Sequence, residues 1–265
     1  YAFDVGLAEV ARGIAAAPAG ERTYLSPRPA DHPTLAFFLW DAPRPKSFDG
    51  RRCFVLPPAG EPATYWIITH EDWRSAALFE RHLPDAAPIE QLLDWESNPY
   101  ALAYRQPAGG AVRVAPQEPI RARAGDWATL EGWTAINPSL RPGDTFYVDL
   151  FWRARGGAGA SYTAFVHLLG DYNPATGGPL WAGRDSLPCA GSYPTTGWEP
   201  GERIVDEIQV PLPDDTPAGV YQVEIGWYDL ASMARVPLTD EEGRAIGDSL
   251  ILGQVTVEAG ERGQP

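Results

Sequence analysis

The sequence predicts an α+β protein of two domains. A small N-terminal α/β domain spans residues 1–107, and an antiparallel, immunoglobulin-like β-sandwich spans residues 111–258. Three observations predict it. From Tyr162 to Leu230 apolar residues recur at every second position, and clusters of Pro, Gly and Asp separate the runs. That is the pattern of antiparallel strands buried on one face. Before residue 107 helical and strand periods alternate, as in a small sheet flanked by helices. Between the two regions, Pro107-Ala108-Gly109-Gly110 reads as a boundary.

Phe3, Leu7, Val10 and Ile14 fall at helical spacing, and Pro18-Ala19-Gly20 stops that helix. Thr23-Tyr24-Leu25 is a short strand. His32-Pro33 opens a second helix through Leu35, Phe38 and Leu39. Cys53–Leu56 and Tyr65–Ile68 have strand length, and the second reads as buried on both faces. A third helix starts near Asp72, its apolar stripe formed by Trp73, Ala76, Ala77, Phe79 and Leu83. Asp72 or Glu71 suits its N-terminus, where unpaired N–H groups attract an acceptor. Residues 84–99 read as irregular, and Tyr100–Tyr104 closes this half with a strand. The second half offers strands at 127–135, 145–153, 162–169, 204–210, 221–228 and 250–257. Short strands with turns between them favour a sandwich over a barrel. The tail 259–265 is polar and reads as frayed.

Composition narrows the function classes. Hydrophobic residues at 44% and charged residues at 21% belong to a globular chain. A net charge of −14 argues against nucleic acid, whose phosphates need clustered cations. No run approaches the roughly 18 apolar residues of a membrane-spanning helix. The chain opens Tyr1-Ala2-Phe3-Asp4 without initiator Met, basic segment or cleavage site, and so reads as a piece of something longer. Lys46 is the only lysine, and Arg, Ala, Gly and Pro are abundant, a bias of GC-rich bacterial genomes. Cys53 and Cys189 are too few for a disulfide framework and lack zinc spacing. They read as two unrelated thiols, with a disulfide across the two halves as the alternative where geometry permits it.

Catalytic and metal chemistry find little support. His70-Glu71-Asp72-Trp73 resembles the start of a metalloprotease helix, but no second His follows four residues on. A strand-end His before a helix cap explains it. His167 lies mid-strand and reads as an ordinary sandwich histidine. Asp171–Gly178 offers oxygens on a turn, short of the six to eight that calcium takes, and a plain hairpin accounts for it. No nucleophile elbow, phosphate loop or dinucleotide fingerprint occurs. No catalytic residue, metal or cofactor is expected.

The aromatics carry more weight, with ten Trp and eleven Tyr. Exposed rings stack on the C–H faces of sugars, while nearby carboxylates accept hydroxyl hydrogen bonds. Trp181, Tyr193 and Trp198 lie in loop-like segments beside Asp185 and Glu199, which makes these five the candidate glycan site. The competing reading is that the rings plug the open ends of the sandwich core. It weighs more, because large exposed apolar patches are uncommon. Trp133, Trp152 and Trp227 alternate along strands and read as core.

A resemblance covers nearly the whole chain. Its first-half residues are Arg22-Thr23-Tyr24-Leu25-Ser26-Pro27, His32-Pro33-Thr34-Leu35, Phe48-Asp49-Gly50 and Tyr65-Trp66-Ile67-Ile68. In the second half they are Phe165–Leu169, Asp185-Ser186-Leu187-Pro188, Tyr193-Pro194-Thr195, Trp198-Glu199-Pro200-Gly201-Glu202 and Asp248–Gly253. In these it resembles the C-terminal extracytoplasmic region of bacterial multi-spanning glycosyltransferases of the protein mannosyltransferase and aminoarabinose-transferase-like kind. The shared motifs are structural, and that family's catalytic acids lie in the membrane portion, so none maps onto this chain.

The resemblance implies a non-catalytic accessory region on the extracytoplasmic face of the bacterial cell membrane. It would orient an acceptor or glycan, with the membrane-embedded portion of the same polypeptide as partner. The alternatives are a freestanding carbohydrate-binding or adhesion-type surface module and, third, a hydrolase without a recognisable motif.

Overall fold

A computed structural model describes residues 4–259; Phe3 and residues 260–265, on which two of the expectations above fall, lie outside it. The chain is mostly strand, arranged in three sheets. It divides into two compact units. One is Tyr1–Val114 with Gly201–Ile204, and the other is Ala115–Pro200 with Val205–Pro265. Among the described residues no helix is long and apolar enough to cross a membrane.

In the first unit the elements run α1 (Val5–Ala15), β1 (Arg22–Ser26), α2 (Pro33–Phe38), β2 (Lys46–Ser47), β3 (Cys53–Leu56), β4 (Ala63–Ile68), α3 (Ser75–His82), β5 (Ala87–Leu93) and β6 (Pro99–Gln106). Asp4 caps α1 by accepting the Leu7 N–H, and His32 does the same for α2 through Thr34. The sheet order is β2-β1-β4-β6-β5, with β1 parallel to both β2 and β4, and β6 antiparallel to β4. β4 is buried along its whole length. On one face Trp66 and Ile68 join Leu7, Val10 and Ile14 of α1 and Leu35 of α2 in a single cluster. On the other, Tyr65 stacks on Tyr24 and Phe54, and Phe79 of α3 stacks on Tyr104.

Two expectations for this unit are corrected. α3 begins at Ser75, so Ser75, Leu78, Phe79 and His82 face inward, and Trp73, Ala76 and Ala77 are exposed. The segment read as irregular contains β5, an edge strand exposed along almost all its length. An edge strand buries neither face fully and shows no alternation to read.

The second unit contains β7 (Glu118–Ala124), β8 (Ala128–Ala135), β9 (Ser139–Leu140), β10 (Thr145–Ala154), β11 (Tyr162–Asn173), β12 (Gly178–Ser186), β13 (Arg203–Pro211, counted in this unit from Val205), β14 (Gly219–Asp229), β15 (Leu238–Thr239), β16 (Ala245–Gly247) and β17 (Ser249–Val257). One sheet runs β16-β15-β7-β8-β10-β13, and the other β12-β11-β14-β17-β9. Their facing sides share a core rich in indole rings. Trp152 of β10 meets Trp227 of β14 edge to face at 4.9 Å, and Trp127 meets Trp227 at 5.1 Å. Trp133, Trp152 and Trp227 are all buried. Residues 171–178 form the hairpin between β11 and β12, with Asn173 accepting the Ala175 N–H.

The cysteines correct the sequence reading. Neither is a free thiol, and Cys53 and Cys189 are both disulfide-bonded. The geometry that permits a disulfide is set by tertiary structure and has no sequence signature in a chain with two cysteines.

Candidate functional site: a cleft at the strand ends of the first unit

The topology of the first sheet selects one edge. The chain leaves β1 through α2 toward β2, and leaves β4 through α3 toward β5 and β6 on the opposite side. In open sheets with parallel strands, ligands bind outside the carboxyl ends where connections diverge in this way. At that edge lies a cleft of about 990 Å³. It is lined by the first turns of α1 (Asp4, Val5, Gly6, Glu9), by His70 after β4, and by the β5–β6 hairpin with its flanks (Leu92, Leu93, Asp94, Trp95, Asn98, Pro99, Tyr100).

Each wall is fixed by local chemistry. Thr69 ties the end of β4 to the start of β6, its N–H donating to the Tyr100 carbonyl and its hydroxyl to that of Pro99. The hairpin is closed by Asp94, whose Oδ1 accepts the N–H groups of Glu96 at 2.9 Å and Asn98 at 2.8 Å. Ser97 takes the left-handed conformation at φ 67° that this tight turn requires. The donated Asn98 N–H holds the Asp94 carboxyl below the usual carboxylate range. Trp95 stands at the tip of the turn and is 89% exposed.

On the opposite wall Asp4 Oδ1 accepts both the Leu7 N–H and the Tyr100 hydroxyl, the latter at 2.7 Å. Burial first, then this bond to a carboxylate, pushes the Tyr100 phenol well above its ordinary value. His70 lies against Tyr100, ring centroids 5.3 Å apart, with Nε2 3.3 Å from Glu71 Oε1. Glu71 is held in turn by Arg28 Nε at 2.9 Å.

Behind this edge sits a buried knot. Asp72 accepts the hydroxyls of Ser26 and Ser75, and the N–H groups of Arg74 and Ser75 at the start of α3. Ser26 Oγ in turn accepts the Gly50 N–H. Ser26 and Asp72 are buried and fully engaged in positioning strand ends. They form a scaffold rather than a reacting pair.

The five residues selected from sequence are dispersed. Trp198 is 1% exposed, meets Trp127 and Trp227 edge to face, and donates its Nε1–H to the Tyr193 carbonyl. Tyr193 is buried as well. Both rings fill the core and offer no face to a sugar, because their Pro- and Gly-rich segment folds inward. Trp181 is half-buried, its Nε1–H donating to the Asp171 carbonyl and its ring set against Tyr221. Asp185 is exposed and joins a different group, accepting the Tyr228 hydroxyl at 2.9 Å with His167 Nε2 at 3.5 Å. His167 is thereby flanked by Asp185 and by Glu224, 3.1 Å from Nδ1. Glu199 is part-buried.

No protein-family model matches the chain. No curated protein matches it either.

That geometry offers groups for binding. Asp94, held low by donated N–H groups, is the reverse of a general acid, which needs a raised pKa. Among the described residues no three His, Cys, Asp or Glu side chains converge as metal ligands. What the cleft offers is an exposed indole, apolar walls from Val5, Leu92 and Leu93, and several hydrogen-bond acceptors. Sequence reasoning passed over Trp95. The available signal was a lone Trp between Asp94 and Glu96 in a turn ending Asn98-Pro99, where no strand or helix period gives the ring a core to enter.

Proposed function

We propose that this chain is a non-catalytic accessory region that holds or orients a glycan or glycan acceptor for a membrane-embedded glycosyltransferase, on the extracytoplasmic side of a bacterial membrane. The observation that carries the binding role is the cleft itself. An exposed Trp95 ring and apolar walls stand beside Asp4, Glu9, Asp94 and Asn98, the mixture that stacks on a pyranose face and accepts its hydroxyls. The disulfide state of both cysteines favours an oxidising compartment outside the cytoplasm. The membrane portion of the same polypeptide is the proposed partner. This part of the reading leans on the sequence resemblance.

In the same reading the first unit is an α/β domain and the second an immunoglobulin-like β-sandwich. Support for the sandwich comes from the two sheets sharing an indole-rich core. A freestanding carbohydrate-binding module would use the same cleft. The two differ in whether the gene continues upstream into apolar spanning helices.

The test is saccharide binding by the purified chain, followed by nuclear magnetic resonance, with Trp95→Ala as the variant. Trp95 is exposed, so the variant should melt like the parent and lose binding. Assays with chromogenic glycosides and lipid-linked sugar donors should show no turnover. Turnover abolished by replacing a carboxylate of this chain would overturn the accessory role.

A further inference from the structure

We infer that the cleft takes an uncharged, hydroxyl-rich saccharide end and turns away its phosphorylated or carboxylated counterparts. This rests on the glycan-holding reading above and adds a charge class to it. Carboxylates only accept, and Asp4, Glu9 and Asp94 all line the cleft.

Asp4 spends Oδ1 on the Leu7 N–H and the Tyr100 hydroxyl, so Oδ2 remains for a ligand. Asp94 spends Oδ1 on the hairpin, and its Oδ2 has one long contact of 3.4 Å from the Asn98 amide. Glu9 pairs with Arg12, three residues along the same helix and outside the lining.

Among the described residues no Lys or Arg lines the cleft. Its side-chain donors are the Asn98 amide, the Trp95 indole N–H and a His70 ring N–H. The α1 N-terminus, the natural seat for an anion, is already capped by the Asp4 carboxylate. A sugar hydroxyl can donate to each open acceptor. A phosphate or uronate oxygen cannot, and it brings negative charge among carboxylates at distances shorter than the screening length. The indole of Trp95 takes the C–H face of either sugar equally, so charge alone separates them.

The experiment is calorimetry on the full chain with a panel of neutral trisaccharides. Each one that binds is compared with its 6-phosphate and its uronic acid analogue, at low and high salt. Neutral sugars should bind at least about tenfold more tightly than their anionic analogues at low salt, a gap of about 1.4 kcal/mol. High salt should narrow that gap, because exposed charges are screened. Glu9→Gln should narrow it as well while leaving the melt unchanged, since Glu9 is exposed and makes only a surface pair. Anionic analogues binding as tightly as neutral ones would overturn the charge inference and leave the glycan reading standing. No saccharide binding, or binding indifferent to Trp95→Ala, would overturn the glycan reading and this inference with it.

Discussion

The indole of Trp198 meets that of Trp227 edge to face, with centroids 6.2 Å apart and planes at 87°. Trp198 arrives from a loop rich in Pro and Gly, and Trp227 from the middle of β14. The loop ring completes a core that the strands leave open at one end. Edge-to-face pairs of this kind add to the area buried. Replacing Trp198 by Ala should therefore cost roughly 3–5 kcal/mol, read as a lower denaturant midpoint at unchanged slope. Saccharide binding in the first unit should survive wherever the chain remains folded. A loss below about 1 kcal/mol would show that the loop repacks around the gap.

A second prediction concerns Glu202, which is fully buried. Its Oε1 accepts from the sole lysine, Lys46, at 2.7 Å and from the Tyr24 hydroxyl at 2.8 Å. Gly201–Ile204 belongs to the first unit, as do Lys46 and Tyr24. Arg22 Nη1 also stands 3.7 Å from the same oxygen, so removing Lys46 takes away the nearer of two cations, while removing the buried carboxylate leaves both cations facing each other, at a cost of up to about 3–5 kcal/mol. Lys46→Met and Glu202→Gln should each destabilise, and the double variant should lose less than the sum of the two. An additive double variant, measured by urea unfolding, would show that the pair is not coupled.

His82 gives a pH dependence whose sign is fixed by its surroundings. The ring is buried against Phe54, and Nδ1 faces the Arg113 carbonyl at 2.9 Å. Burial lowers its pKa from the ordinary 6.5, only partly opposed by that hydrogen bond. The unfolded chain thus takes up a proton near pH 6.5 that the folded chain refuses. Stability from this group is full above pH 6.5 and is lost as pH falls toward the folded value. Melting temperature should drop between about pH 7 and 5, and His82→Gln should flatten that slope. An unchanged slope would assign the acid sensitivity to other groups.

Long-period features were legible in the sequence, and long-range ones were not. Alternation located β8, β10, β11, β13, β14 and β17, each of which carries buried apolar residues; β10 is buried on both faces through Val148–Trp152. β5 escaped because it is exposed, β7 because the buried side of its alternation is carried by the small Ala122 and Ala124, and β12, which holds Trp181 and Asp185 and was read as loop, because Gly178, Pro179 and Gly183 are turn residues. Trp198 and Glu202 sit in a sequence that reads as an exposed turn. Only distant partners, Trp227 for one and Lys46 with Tyr24 for the other, draw them inside. Of the cleft, the helix start and the strand-end histidine were readable. Their meeting with Trp95 depends on sheet order, which no local period encodes.

Gly226 supplies the last prediction. It lies in β14 directly opposite Phe165 of β11. A Cβ at this position would stand 2.3 Å from the Phe165 ring and 2.8 Å from the Asp248 carbonyl oxygen. The ring lies over the glycine and is itself covered by the Arg235 guanidinium, 4.8 Å from its centroid. The ring cannot swing outward without breaking that contact, and the carbonyl belongs to the backbone. Gly226→Ala should therefore destabilise by roughly 1–3 kcal/mol through overpacking. Gly156, which has open space around its Cβ direction, is the control, and Gly156→Ala should be neutral or mildly stabilising. Because Phe165 supplies the nearest obstacle, Phe165→Leu should relieve part of the Gly226→Ala penalty in a double-mutant cycle. A cycle with no coupling would assign the whole penalty to the Asp248 carbonyl, and a neutral Gly226→Ala would reject the close packing of ring on glycine.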